Sequence, residues 1–177
     1  MEPRIGTAAD VAWLAGKTTD GTTITAAIPP VFEAYATCFP PDGTTYAEHE
    51  RALISVLNGQ TTDQPWWLGY LDTGAHDVVF PRAPRVTLYW GWDYVLVEAG
   101  PEQALTWRTG HMRGDGHLPD LFFPKDRSWL VSALWDDAWT DLGGSASLIE
   151  ALGQDPRINA RRVRPDEDAL PPGLSRE

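Results

Sequence analysis

Arg85-Val86-Thr87-Leu88-Tyr89-Trp90-Gly91-Trp92-Asp93-Tyr94-Val95-Leu96-Val97-Glu98-Ala99 carries the clearest structural signal in the chain. Two short runs, 85–90 and 94–99, are rich in Val, Leu, Tyr and Trp. Gly91-Trp92-Asp93 between them supplies a tight connection. The stretch predicts a β-hairpin, and a hairpin implies antiparallel pairing.

Upstream, Trp66 to Leu71 reads as a strand, Asp72-Thr73-Gly74 as a turn and Asp77 to Phe80 as a further short β run. Glu48 to Asn58 is a helix with Leu53, Ile54 and Leu57 on one face, and Asn58-Gly59 offers a left-handed stop. Val31 to Phe39 lies between Pro29-Pro30 and Pro40-Pro41, which suits an extended segment at a sheet edge. Thr7 can cap a short helix from Ala8 to Ala15, with Val11 and Leu14 inward.

Downstream, Pro101 opens a helix to about Arg108. Ser128 to Asp136 reads as a buried strand, Asp136-Asp137 turns it, and Trp139 to Leu142 returns beside it. Gly143-Gly144-Ser145 starts a helix from Ala146 to Leu152. Helices at both ends with a mostly antiparallel sheet between them give an α+β class. Residues 1–164 form one such domain. Pro165, Pro171, Pro172 and Gly173 make 165–177 a flexible tail.

The chain has 177 residues with 14 Lys+Arg against 25 Asp+Glu. Residues 155–177 hold five basic and five acidic residues, so residues 1–154 carry the whole net charge of −11. Affinity for phosphate backbones is built largely from Lys and Arg, so this body disfavours nucleic acid and anionic membranes. It favours a basic partner, and attraction of that kind acts mainly on the association rate. No run of about 18 apolar residues exists to span a bilayer. Met1-Glu2-Pro3-Arg4 leads into no apolar stretch of the kind a secretory signal needs. Cys38 is the lone cysteine. Together these features point to the cytoplasm.

One string suggests catalysis. Leu71-Asp72-Thr73-Gly74-Ala75 resembles the active-site strand of retroviral-type aspartic peptidases. That chemistry needs two aspartates sharing a proton, so the second Asp72 would come from a dimer partner. The segment Asp141-Leu142-Gly143-Gly144 ahead of Leu148 imitates the second signature of such enzymes, whereas the helix at 48–58 does not fit their order of elements. His49, His76, His111 and His117 lack the spacing of a metal site. Neither a Walker A nor a G-x-G-x-x-G motif occurs, so no cofactor is expected.

The nine Trp residues are the compositional oddity. Alternate residues of a strand face opposite ways, so Trp66 and Trp67 cannot both enter a core that covers one side. Trp67, Tyr70, Trp90, Trp92 and Tyr94, ringed by Asp72, Asp93, Asp136 and Asp137, would make an aromatic patch with an acidic rim. Trp, Tyr and Arg dominate interface hot spots, so the patch suits a basic protein. A Trp-rich core, or the seam of a homodimer, is the competing reading.

Pro29-Pro30-Val31-Phe32-Glu33-Ala34-Tyr35-Ala36 and Pro124-Lys125-Asp126-Arg127-Ser128-Trp129 resemble strings of an uncharacterised actinobacterial family. That likeness covers most of residues 28–163 and implies a globular bacterial protein without naming a reaction. A remoter likeness is to the SUKH-type immunity-protein superfamily, single-domain acidic α+β proteins that bind and neutralise toxins. It implies a non-catalytic protein-binding role against a basic partner.

Overall fold

Thr45 opens the main helix with a reciprocal cap. Its hydroxyl accepts from the Glu48 N–H at 3.1 Å, and the Glu48 carboxylate accepts from the Thr45 N–H at 3.1 Å. The helix, α1, spans Tyr46–Gly59 and turns Ala52, Leu53, Ile54 and Leu57 inward. It ends without the left-handed residue that Asn58-Gly59 suggested. Gly59 is still helical, the chain leaves through Gln60 at φ −99°, and the Thr61 hydroxyl caps the Leu57 carbonyl. These positions belong to a computed structural model, which describes residues 3–74, 78–108, 116–135 and 137–174.

Among those residues the strands are β1 (Ala34–Cys38), β2 (Trp66–Leu71), β3 (Val86–Leu88), β4 (Trp92–Ala99), β5 (Leu121–Pro124), β6 (Leu130–Ser132), β7 (Thr140–Gly144) and β8 (Arg161–Val163). They form one eight-stranded sheet in the order β3-β4-β2-β5-β6-β7-β1-β8, antiparallel at every pairing. Two shorter helices, α2 (Pro101–Thr106) and α3 (Ala146–Gln154), join α1 beside the sheet. The class is α+β, a mostly antiparallel sheet with flanking helices.

Two strand expectations change. β1 sits between β7 and β8, so its Pro pairs bracket an interior strand and do not mark an edge. Residues 78–80 form no strand, and Asp77 lies outside the described residues. At the start of the chain, only Ala8–Val11 makes a helical turn, of the tight 3₁₀ kind. That irregular segment nevertheless has a large effect.

The sheet is covered on both sides. On one face Trp66, Leu68 and Tyr70 pack with Leu53, Leu57, Leu148 and Leu152 from the helices. On the other, Trp67, Leu71, Tyr94 and Leu96 pack with Val11, Leu14, Ile24 and Ile28 from the N-terminal turns. Trp66 is therefore 1 % exposed and Trp67 only 4 %. The expected choice between them assumed one dry face, and there are two. Trp66 meets Trp129 edge to face with centroids 4.8 Å apart, a geometry that adds about 0.5–1.5 kcal/mol beyond area burial.

The segment after β8 lies against the body as far as Leu174. Arg161 donates to the carbonyls of Asp168 and Leu170 at 2.7 and 2.8 Å, and the Ala169 N–H donates to Thr22 at 3.0 Å. Ala169 and Pro171 are buried. A Pro-rich composition here describes an anchored strap and not a free tail. No described helix is long and apolar enough to cross a membrane.

Candidate functional site

β3 and β4 close as the hairpin their sequence predicted, with Leu88 opposite Trp92 as the last pair. The three linking residues are unusual. Tyr89 holds φ +57° and Gly91 φ +89°. A bulky L-residue in the left-handed region costs about 1–2 kcal/mol, so something must hold Tyr89 there. Its hydroxyl lies 2.9 Å from the Ala27 carbonyl and 2.7 Å from Ser132 Oγ. The phenol has one proton and a carbonyl can only accept, so Tyr89 donates to Ala27 and receives from Ser132. Burial pushes the Tyr89 pKa well above the ordinary phenol range, which keeps that proton in place.

With Tyr89 turned inward, Trp90 is turned out. It is 47 % exposed, and its indole N–H donates to Asp20 Oδ1 at 2.6 Å. Its ring lies 4.9 Å from that of half-buried Trp92. Beyond Trp92 a cleft of about 300 Å³ opens, floored by Leu71 and bounded by Asp72, Asp93 and Trp135. Trp135, just after β6, is also 47 % exposed. Trp90, Trp135 and Val31 are the large apolar side chains that stay exposed among the described residues. Trp135 lines this cleft, and Trp90 packs on Trp92, which lines it too.

The carboxylates at the cleft differ in their engagement. Asp72 Oδ2 accepts from Arg85 Nε at 3.0 Å, and Oδ1 accepts from the Gly74 N–H at 2.9 Å. The Asp72 N–H in turn donates to the Asp93 carbonyl at 2.8 Å. Both Asp72 oxygens thus hold the turn after β2, an arrangement unlike a carboxyl facing a twin across a shared proton. β2 and β7 are also separated in the sheet by β5 and β6, so the two peptidase-like strings are not neighbours. Asp93 is exposed, and Oδ1 accepts from the Thr87 hydroxyl at 3.1 Å.

Several expected patch members lie elsewhere. Trp67 and Tyr94 fill the core under the N-terminal turns, and Tyr70 fills the helix-side core. Their strands β2 and β4 are paired on both edges and covered on both faces, which leaves no outward position. The Tyr70 ring lies 5.2 Å below the Arg108 guanidinium. Asp137 lines a different cavity, and Asp136, His76 and His111 lie outside the described residues. What remains from the expected patch is Trp90, Trp92, Asp72 and Asp93. The sequence reading missed Trp135 and Asp20. Trp135 ends an apolar run just before an acidic turn, which was a usable signal; Asp20, in a Thr- and Gly-rich loop, gave none.

The cavity that includes Asp137, about 310 Å³, is bounded by Cys38, His49, Glu50, Arg108 and Asp120. Its polar groups are tied down. Arg108 pairs with Asp120 at 2.5 Å, and Glu50 accepts from the N–H groups of His117 and Leu118 at 2.9 and 3.1 Å. Burial, with a smaller push from Asp141, raises the Cys38 pKa to about 12, so the thiol is no nucleophile near neutrality. His49 Nδ1–H donates to the Arg157 carbonyl at 2.9 Å, leaving Nε2 toward Cys38 Sγ at 3.9 Å. Comparison with protein-family models, curated proteins and solved structures finds no match.

Proposed function

We propose that the protein is a non-catalytic binding module that docks a basic protein on the Trp90–Trp92–Trp135 end of its sheet. One observation carries the reading: Trp92 and half-exposed Trp135 line a single cleft edged by Asp72 and Asp93, with half-exposed Trp90 packed on Trp92, on a chain of net charge −11. Indole supplies apolar area at little entropic cost, and surrounding acids favour encounter with a positive surface. An immunity-type role, with a basic toxin as partner, is the specific form of this reading that the sequence resemblance implies. The lone, buried Cys38 suits a reducing cytoplasm.

The test compares two immobilised baits in one low-salt lysate, wild type and Trp90→Ala/Trp135→Ala. Basic proteins should be retained by the first and lost by the second, with association slowing as salt rises. Each indole should be worth on the order of 2 kcal/mol, the usual threshold of a hot spot. Equal retention by both baits contradicts the proposal.

A further inference from the structure

The geometry points to an arginine side chain as the group that enters the cleft between Trp92 and Trp135. This inference rests on the docking proposal and sharpens it. At about 300 Å³ the cleft lies at the lower limit of small-ligand pockets, roughly 300–1,000 Å³, so it admits a side chain and not a folded surface. Its walls include two indoles and its floor is Leu71, a setting for a flat, weakly hydrated cation. Guanidinium has those properties. Ammonium is compact and strongly hydrated and gives up more on leaving water.

The acids at the rim have capacity to spare. Asp93 Oδ2 has no hydrogen-bond partner among the described residues, its other oxygen being held by Thr87. Asp20, outside the cleft lining but bonded to Trp90 at its side, likewise has only Oδ1 engaged. Both are exposed, so an incoming guanidinium can reach them, whereas Arg85 is already engaged by Asp72 and by the carbonyls of Ala83 and Pro81.

The chain itself shows the same preference. Arg4 lies over Trp67 at 5.4 Å, Arg127 over Trp13 at 5.7 Å and Arg108 over Tyr70 at 5.2 Å. Those rings are buried or partly buried, and each has its arginine. No cation from the described residues lies over Trp90 or Trp92, the rings that face solvent here.

Hexa-arginine, hexa-lysine and hexa-citrulline, titrated while the indole N–H resonances are followed by NMR, test the inference. Hexa-arginine should shift Trp92 and Trp135 and bind about tenfold more tightly than hexa-lysine, a stacking advantage near 1.4 kcal/mol. Hexa-citrulline, flat but uncharged, should leave both resonances unmoved. Asp93→Asn should lower arginine affinity several-fold at unchanged melting temperature. Equal shifts with arginine and lysine would overturn the arginine assignment while leaving docking of a basic partner intact. Silence at Trp90, Trp92 and Trp135 with every peptide would overturn both.

Discussion

The Trp90 indole nitrogen and the Asp20 carboxylate meet at 2.6 Å, tying the tip of the β3–β4 hairpin to the N-terminal turns that cover one face of the sheet. One of the two half-exposed indoles of the patch is thereby fixed in orientation before any partner arrives. A side chain already ordered loses less freedom on binding, which raises affinity without adding a contact. Asp20→Ala should therefore separate two quantities. Unfolding free energy should fall by no more than about 1.5 kcal/mol, since the bond is solvent-exposed. Affinity for a basic partner should drop several-fold, and the Trp90 indole resonance should broaden. A large loss of stability without a change in binding would assign the bond to the fold alone.

Tyr89→Phe removes the hydroxyl that holds the left-handed hairpin residue. It leaves the Ala27 carbonyl and Ser132 Oγ, both on buried residues, without that partner. Urea unfolding should show a loss of about 1–3 kcal/mol, the cost of leaving buried polar groups unsatisfied. Docking should weaken as well, because Trp90 follows the backbone that Tyr89 sets.

His49 gives the protein an acid-side weakness. Burial lowers its pKa below 6.5, against smaller opposing contributions from the Arg157 carbonyl, Glu50 and Asp155. As pH falls through the unfolded value the denatured chain takes up the proton first, so it gains on the native state. Stability from this group is complete above the unfolded pKa and is lost as pH drops to the folded one. Urea titrations at pH 8 and 5.5 should show that loss, and His49→Gln should show less of it.

Cys38 should be inert in the folded protein. With its pKa at about 12 and no exposed surface, a thiol reagent at pH 8 should find no reactive group until denaturant is added. Prompt reaction in native buffer would mean that the β1–α1 packing opens readily.

Much of the fold was legible because its signals were local. The hairpin at 85–99, the inward face of α1 and the Ser145 start of α3 follow from residues within a few positions of one another. The second layer was not. Residues 16–28 have neither helical nor strand period and the helix expected at 8–15 shrinks to one tight turn, yet Val11, Leu14, Ile24 and Ile28 seal a whole face. The trace they left was in β2, whose six residues WWLGYL are all buried. An apolar run without alternation marks a strand covered on both sides. Gly143 was likewise open to misreading. It lies in β7 and not at a helix start, and a Cβ there would fall 2.6 Å from Phe32 and 2.7 Å from Ile28. Gly143→Ala should accordingly cost about 1–3 kcal/mol by overpacking, measurable in thermal melts. The site was half legible for the same reason. Trp90, Trp92 and Asp93 are neighbours in sequence, whereas Asp20 and Trp135 reach them only through the sheet.

The central claim is that accessible indoles stand beside fixed negative charge, and paired quenching measures it most directly. At low ionic strength, and with each quencher scaled to its effect on free N-acetyltryptophanamide, caesium should quench the accessible tryptophan fluorescence more strongly than iodide, since carboxylates concentrate cations and repel anions. Trp90→Phe/Trp135→Phe should abolish most of that accessible fraction while the fold persists. Iodide quenching as efficient as caesium, or an accessible fraction unchanged in the double variant, would contradict the account.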